Sequence, residues 1–306
     1  MYDCKDTVKF SFFTVILTKC GVVDFLPHVN LLNLPMQKVR AKKALGQHFL
    51  TDLSIAQRIA DTLGDFKDYP VLEVGPGMGV LTQFLIDEGH DLNVVELDGE
   101  SVEYLNANFP DLKGHIIEAD FLKLNLHDIY QDRKFCVIGN YPYNISSQIF
   151  FHLLDYRDQV VACSGMLQRE VAQRIASGPG NKAYGILSVL LQAWYDIDYL
   201  FTVDENVFNP PPKVKSGVIK LVRNGVTDLG CDERLFKTVV KTSFGQRRKT
   251  LRNSLQSLIP NGSSVLADDM FRRRPEQLSL SEFIELTNII ADARKEIKTT
   301  LTNERI

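Results

Sequence analysis

At 306 residues with 44% hydrophobic content, the chain is long enough for one large domain plus a smaller one and lacks the polar bias of disorder. Its formal charge of -3 excludes a histone-like binder that coats nucleic acid through net charge alone, so any such contact falls to local basic patches. The five cysteines (Cys4, Cys20, Cys136, Cys163, Cys231) are scattered and never in C-x-x-C spacing, and the histidines show no paired spacing. Neither a disulfide framework nor a metal site is expected, and a reducing, cytoplasmic setting fits.

In chain order, residues 1–35 hold an apolar run from Phe10 to Leu17 that Ser11 and Thr14 interrupt and Asp3 and Asp6 precede. It is too short to span a bilayer and no small-x-small cleavage site follows, so neither a membrane anchor nor a secretory leader is expected. Met36 opens a basic segment, Gln37 to Lys43, that reads as a natural start. Residues 1–35 are therefore expected to be an extension without functional importance, with a docking strand as the alternative.

A helix is predicted over Ser54 to Leu63. From Tyr69 onward, short apolar runs alternate with helix-period segments, the pattern of a parallel sheet with crossover helices. Strands are predicted at Val71 to Val74, Leu92 to Glu96, His115 to Glu118, Phe135 to Gly139 and Val160 to Leu167, with helices at Leu81 to Glu88, Glu100 to Asn108 and Ser147 to Leu154. Tyr195 to Val203 and Ser216 to Val222 read as a closing hairpin across the proline-rich loop Phe208 to Lys213. Beyond Gly230, helices over Glu233 to Phe244, Arg248 to Leu258 and Ser281 to Ile297 suggest a small all-helical domain. The expected fold class is α/β: a Rossmann-like sheet in residues 36–226 and helices in 227–306, divided near Asn224 to Gly230.

Glu73-Val74-Gly75-Pro76-Gly77-Met78-Gly79 follows the first strand and opens a helix, so its glycines, Gly75 and Gly77 among them, permit a tight turn and close approach of a ligand. Glu96 ends the second strand, where an acid can accept from ribose hydroxyls. Asp120 ends the third, where a carboxylate can accept from an adenine amine. Both fall at carboxyl ends of strands, the edge at which open α/β sheets bind ligands. On this half alone a nicotinamide dehydrogenase fits as well as a methyltransferase.

The fourth strand ends in Asn140-Tyr141-Pro142-Tyr143, which bears on the choice. The N6 amine of adenine is a poor nucleophile because its lone pair is delocalised into the ring. Acceptors aimed at its two protons, the Asn140 side-chain oxygen and a backbone carbonyl at Tyr141 or Pro142, favour the tetrahedral amine that attacks a methyl group. Pro142 presets the carbonyl direction, and Tyr143 offers a ring on which an extruded base can stack. The bland alternative is a proline turn with aromatic packing. Further on, Lys237, Lys241, Arg247, Arg248, Lys249 and Arg252 form a run free of acids, and Arg272, Arg273 and Arg274 a second cluster. Both suit phosphate contacts, although a charge run is often only a solvated helix face.

The tetrapeptide is similar to the N/D/S-P-P-Y/F motif of amino methyltransferases, and Asn140 to Ser146 resembles the N-L-P-Y-N-I-S of ribosomal RNA adenine dimethyltransferases. Lys43 to Leu50 looks like that family's opening motif, Phe208 to Val214 its late loop, and Arg273 to Ser279 its C-terminal signature. The resemblance runs from about Met36 to beyond Ser279 and favours the family's bacterial small-subunit branch over its antibiotic-resistance, large-subunit branch.

It implies a class I methyltransferase sheet that uses S-adenosyl-L-methionine to dimethylate two adjacent adenosines near the 3′ end of 16S rRNA. A monomer acting on an immature small ribosomal subunit, with no membrane partner, is expected. By the same resemblance His48 and Leu50 cover the cofactor, joined by Gly75, Gly77, Glu96, Asp120 and Asn140. Phe208 forms a second face around the adenine opposite Tyr143. From the charge pattern, Lys241, Arg247, Arg248, Lys249, Arg252 and Arg273 are expected to touch RNA. Tyr141 stands where leucine is usual, with no role for its side chain readable from the sequence. A non-catalytic RNA-binding assembly factor is the rival from another class, against which the set Glu96, Asp120 and Asn140 argues.

Overall fold

The computed structural model describes residues 39–303 except Gly262, together with the backbone of three short strands further upstream; side chains beyond Glu296 are not described. The chain divides into Met1–Arg40 and Ala41–Ile306. In the first unit Thr7–Phe10, Phe13–Leu17 and Val23–Pro27 pair antiparallel in that order. The expectation that residues 1–35 are dispensable otherwise lies outside the described residues.

The second unit is built on a seven-stranded sheet. Its strands are β1 (Val71–Val74), β2 (Leu92–Glu96), β3 (Ile116–Glu118), β4 (Phe135–Asn140), β5 (Val160–Gln168), β6 (Tyr195–Val203) and β7 (Ser216–Arg223). They lie in the order β6-β7-β5-β4-β1-β2-β3. The first five run parallel, and the closing hairpin adds β7 and β6 antiparallel. Helices cover both faces of the central strands, which explains why β1 and β4 read as unbroken apolar runs and are buried along almost their whole length. The edge strand β6 instead alternates, with Asp196 and Asp198 turned to solvent, charges that discourage pairing with another chain.

The helices α1 (Leu53–Ala60), α2 (Val80–Asp87), α3 (Gly99–Asn108), α4 (Leu126–Tyr130) and α5 (Ser146–Asp155) serve the parallel strands. Asp52 caps α1, accepting from the Ser54 amide at 2.9 Å, as its position before an apolar-periodic run predicts. Three helices escape the sequence pattern, the first being α4, whose five residues are too few to show a helical period. The segment α6 (Arg169–Ala176) follows β5 without a loop, and α7 (Ile186–Gln192) is buried on nearly every side and so carries no amphipathic period.

The C-terminal region holds α8 (Glu233–Gly245), α9 (Leu251–Ser254) and α10 (Leu280–Asn303). The helix predicted from Arg248 to Leu258 is shorter and broken: the Leu251 amide donates to the Arg273 carbonyl, and the Ser254 hydroxyl bonds back to the Thr250 carbonyl. Such back-bonding competes with the helical ladder. Phe244 ties this region to the sheet layer, with its ring 6.0 Å from Tyr184 and 5.9 Å from Phe283. Buried Phe236, Val240, Phe283 and Leu286 belong to the same apolar cluster as Leu72 and Val137 of the sheet.

Candidate active site

At the carboxyl edge of β1, β2 and β4 lies a cavity of about 220 Å³, lined by the turn after β1, Glu96, Leu97, Asp120, Asn140 to Ile145 and the segment Leu45 to Leu50. Gly75 (φ 70°) and Gly77 (φ 56°) turn in the left-handed region, which side chains disfavour. At Gly77 a Cβ would also stand 2.9 Å from the Phe49 ring. This is a backbone cradle that only glycine fits.

Glu96 is buried and almost fully committed. Its Oε2 accepts from the Gly77 amide at 3.0 Å, and its Oε1 from the Leu97 and Asp98 amides at 2.8 and 2.9 Å. A carboxylate offers about four acceptor sites, so roughly one remains for a ligand hydroxyl. Burial raises its pKa, against the pull of those three amides. Asp120, half-exposed, caps its own turn through Leu122 at 3.1 Å and lies 3.3 Å from Lys123 Nζ, leaving acceptor capacity toward the cavity. Glu73, wholly buried beneath the turn, is pushed up to about 8 by desolvation; the Thr82 hydroxyl, 2.7 Å away, works in the opposite sense. The donor set fits a nucleoside with a charged tail: a glycine turn, an acid at each of two strand ends, and apolar Leu97, Phe121 and Leu122 between.

At the other end Asn140 Nδ2 donates to the His48 carbonyl at 3.1 Å. Its Oδ1 accepts nothing among the described residues. The Pro142 carbonyl is drawn into the turn that starts α5, accepting from the Ile145 amide at 3.2 Å, whereas the Tyr141 carbonyl has no donor among the described residues. Of the two backbone acceptors left open by the sequence, Tyr141 is therefore the free one. The Tyr143 hydroxyl pairs with Ser216 Oγ, and its ring lies 5.4 Å from that of His48. Burial raises the Tyr143 pKa.

The Tyr141 side chain has a place after all. It turns away from the base end into the core, donating to the Ser164 carbonyl at 2.8 Å and meeting Phe150 edge-on at 5.6 Å. Gly165 makes room for it, since a Cβ there would stand 2.6 Å from the ring.

His48 and Leu50 line the cavity as expected. Phe208 does not: it is 4% exposed, absent from the lining, and its backbone pairs with Leu50 in a two-residue ladder, Phe49–Leu50 against Phe208–Asn209. The partner expected opposite Tyr143 is thus not presented to the cavity in this conformation. Sequence reasoning missed Phe49, Glu73 and Asp98. The last had a signal, an acid two residues past the end of β2 where a helix begins.

The basic residues divide. Lys241, Arg248, Lys249 and Arg252 are exposed, and Lys241 Nζ sits 5.3 Å from the centre of the Phe151 ring. Arg247 leans inward, 3.5 Å from the Asn181 carbonyl and 3.9 Å from Glu276. Arg273, only partly covered, is spent on partners within the chain, Glu282 and the Gln277 carbonyl, and it holds the Glu282 carboxyl below its ordinary value.

A parallel sheet extended by an antiparallel hairpin, with a glycine turn and strand-end acids facing an Asn-x-Pro-Tyr site, defines a class I S-adenosylmethionine-dependent methyltransferase. The family model described as ribosomal RNA adenine dimethylase matches residues 38–292. The chain belongs to that family. It is 69% identical over 254 residues to the ribosomal RNA small subunit methyltransferase A of Parabacteroides distasonis, covering 83% of this chain and 95% of that one. The protein of the same name from Porphyromonas gingivalis is 64% identical over 256 residues, covering 83% and 99%. Among solved structures, a dimethyladenosine transferase from Plasmodium falciparum shares the fold (TM-score 0.64, 22% identity, 78% of this chain and 96% of that one). The 23S rRNA methyltransferase ErmE is also similar (TM-score 0.57, 26% identity, 78% and 99%).

Proposed function

We propose that this protein transfers methyl groups from S-adenosyl-L-methionine to N6 of two adjacent adenosines near the 3′ end of 16S rRNA, giving N6,N6-dimethyladenosine during small-subunit maturation. The observation that carries the chemistry is the pair of unengaged acceptors, Asn140 Oδ1 and the Tyr141 carbonyl, at the mouth of the cradle. Relatives named for the small ribosomal subunit, at 64–69% identity, support the choice of RNA over the 23S reading that the ErmE likeness at 26% suggests.

The bound cofactor supplies a methyl group activated on a sulfonium. Gly75, Gly77 and Glu96 hold its tail and ribose, Asp120 its adenine, and Leu50 and His48 close over it. In the first transfer Asn140 Oδ1 and the Tyr141 carbonyl accept hydrogen bonds from the two N6–H groups of the target base, and in the second one of them accepts from the N–H that remains, localising the nitrogen lone pair for in-line attack; the methylated nitrogen then releases a proton to water. Tyr143, its hydroxyl tied to Ser216, provides the face on which the extruded base stacks. The Phe208 ring joins it only once the late loop shifts.

Residues 36–226 perform catalysis and 227–306 hold the RNA, through the exposed Lys241, Arg248, Lys249 and Arg252, with Arg247 and Arg273 setting the scaffold beneath them. The protein acts as a cytoplasmic monomer on an immature particle. No helix among the described residues is long and apolar enough to cross a membrane.

Incubation with labelled S-adenosylmethionine and either undermethylated small subunits or large-subunit RNA tests this reading. Label entering the small subunit alone is expected, and label entering only large-subunit RNA would overturn it.

A further inference from the structure

The segment over the cavity is fastened at both ends, and its middle holds the catalytic amide. On the cofactor side, Lys42 Nζ pairs with Asp98 and lies 3.1 Å from Glu100, while Gln47 Nε2 donates to Asp98 Oδ2 at 3.2 Å. Gln47 Oε1 in turn accepts from the Lys42 amide at 2.8 Å, so both side chains brace one turn. On the base side, His48 Nδ1 donates to the Pro210 carbonyl at 2.8 Å, and the Thr51 amide and hydroxyl both reach the Val207 carbonyl. Between these anchors, Phe49 covers Gly77 and the His48 carbonyl receives Asn140 Nδ2.

Asp98 shows that the cofactor-side anchor is built rather than incidental. It stands at the N-cap of α3, where an aspartate ordinarily accepts from the helix's own amides. Here it accepts no cap bond. Its carboxylate, 1% exposed, takes one bond from the Ser101 hydroxyl at 3.2 Å and otherwise faces Lys42 and Gln47. Burial works against its ionisation, but the Lys42 and Gln47 hydrogen bonds outweigh that and keep the carboxyl below its ordinary value. The Asp98 amide meanwhile donates to Glu96 Oε1, so the anchor is continuous with the ribose-holding acid.

A primary amide presents either an acceptor or a donor, and at an amine target only the acceptor is productive. With Nδ2 held by His48, Oδ1 is the end left for the base. Were the segment to lift, nothing else described would bind Nδ2, and the amide would be free to turn its donor end to the N6 amine.

Resting on the proposed adenine methylation, we propose that Lys42 and Gln47 are positioning residues: by latching the covering segment to Asp98, they hold the His48 carbonyl where it orients Asn140 with its oxygen toward the target base.

The test uses the full-length protein with S-adenosylhomocysteine bound and reads water exchange of the Asn140 side-chain amide protons by NMR, the resonance being assigned by its loss in Asn140→Asp. The double variant Lys42→Met/Gln47→Ala should exchange those protons on the order of fivefold faster, the scale of one hydrogen bond. Its single-turnover methyl transfer, with cofactor and RNA saturating, should fall by a similar factor while cofactor Kd moves less than about twofold. Lys42→Arg with Gln47 intact should keep both readouts at the parent's level. Unchanged Asn140 exchange in the double variant overturns the latch whatever the activity. So does faster exchange with undiminished transfer, or a loss in cofactor affinity as large as the loss in rate. Should the parent protein fail to methylate small-subunit RNA, the functional reading falls while the exchange data alone still decide whether Lys42 and Gln47 orient Asn140.

Discussion

The carboxyl edge of the sheet and the C-terminal helical region both carry polar groups that suit a nucleic acid enzyme, yet they use them differently. At the sheet edge the informative groups are those left without a partner among the described residues: Asn140 Oδ1, the Tyr141 carbonyl, and the spare acceptor capacity of Glu96 and Asp120. In the helical region the arginines sort into exposed side chains such as Arg248 and internal ties such as Arg273. Function at the edge follows from position at a strand end. In the helices it depends on which charges the fold has already consumed.

Five changes break or sharpen this contrast. Asn140→Ala removes an acceptor on which the transition state depends, so single-turnover transfer should drop on the order of 10²- to 10³-fold with RNA affinity unchanged. Glu73→Gln probes the buried acid under the cradle. Its pKa is raised in the fold to about 8, so between its unfolded value and that pH the folded protein keeps a proton the unfolded chain has released, and stability falls as pH rises through the window. Urea denaturation should show the glutamine variant gaining on the parent by about 3 kcal/mol between pH 5.5 and pH 8; parallel profiles would contradict a buried, protonated Glu73.

Within the helical region, the triple variant Arg248→Ala, Lys249→Ala, Arg252→Ala should leave the urea midpoint in place and lower RNA affinity, with the salt slope reduced by roughly two to three. Arg273→Ala should do the reverse, costing about 1–2 kcal/mol of stability for a half-exposed pair with little change in that slope. Equal effects on RNA affinity would erase the distinction. The smallest change is expected from Tyr141→Phe, about 1 kcal/mol for the bond to the Ser164 carbonyl, with transfer rate unaltered.

Much of the sheet was legible because parallel strands buried on both faces announce themselves as apolar runs, as at Val71–Val74 and Leu92–Glu96, which match their predicted bounds; the antiparallel edge strand Tyr195–Val203 matches as well, although it alternates. Glu96, Asp120 and Asn140 were legible for a related reason, since strand register places them at one edge. The helix α7 was not, because a segment buried all round has no period to read. Nor could a run of arginines reveal that Arg273 faces Glu282, a pairing made by the chain's return at α10. The Asp98 latch joins residues 56 apart in sequence. Tyr141 had no role in one dimension because its partners, Ser164 and Gly165, arrive from the neighbouring strand.

The central claim, adenine dimethylation at the cradle's mouth, is tested most directly by nucleoside mass spectrometry with site mapping of small-subunit RNA after incubation with the protein and S-adenosylmethionine. N6,N6-dimethyladenosine at two adjacent positions near the 3′ end, formed far more slowly with Asn140→Ala, is the predicted result; methylation of another base, or product formed at an unchanged rate with Asn140→Ala, would contradict it.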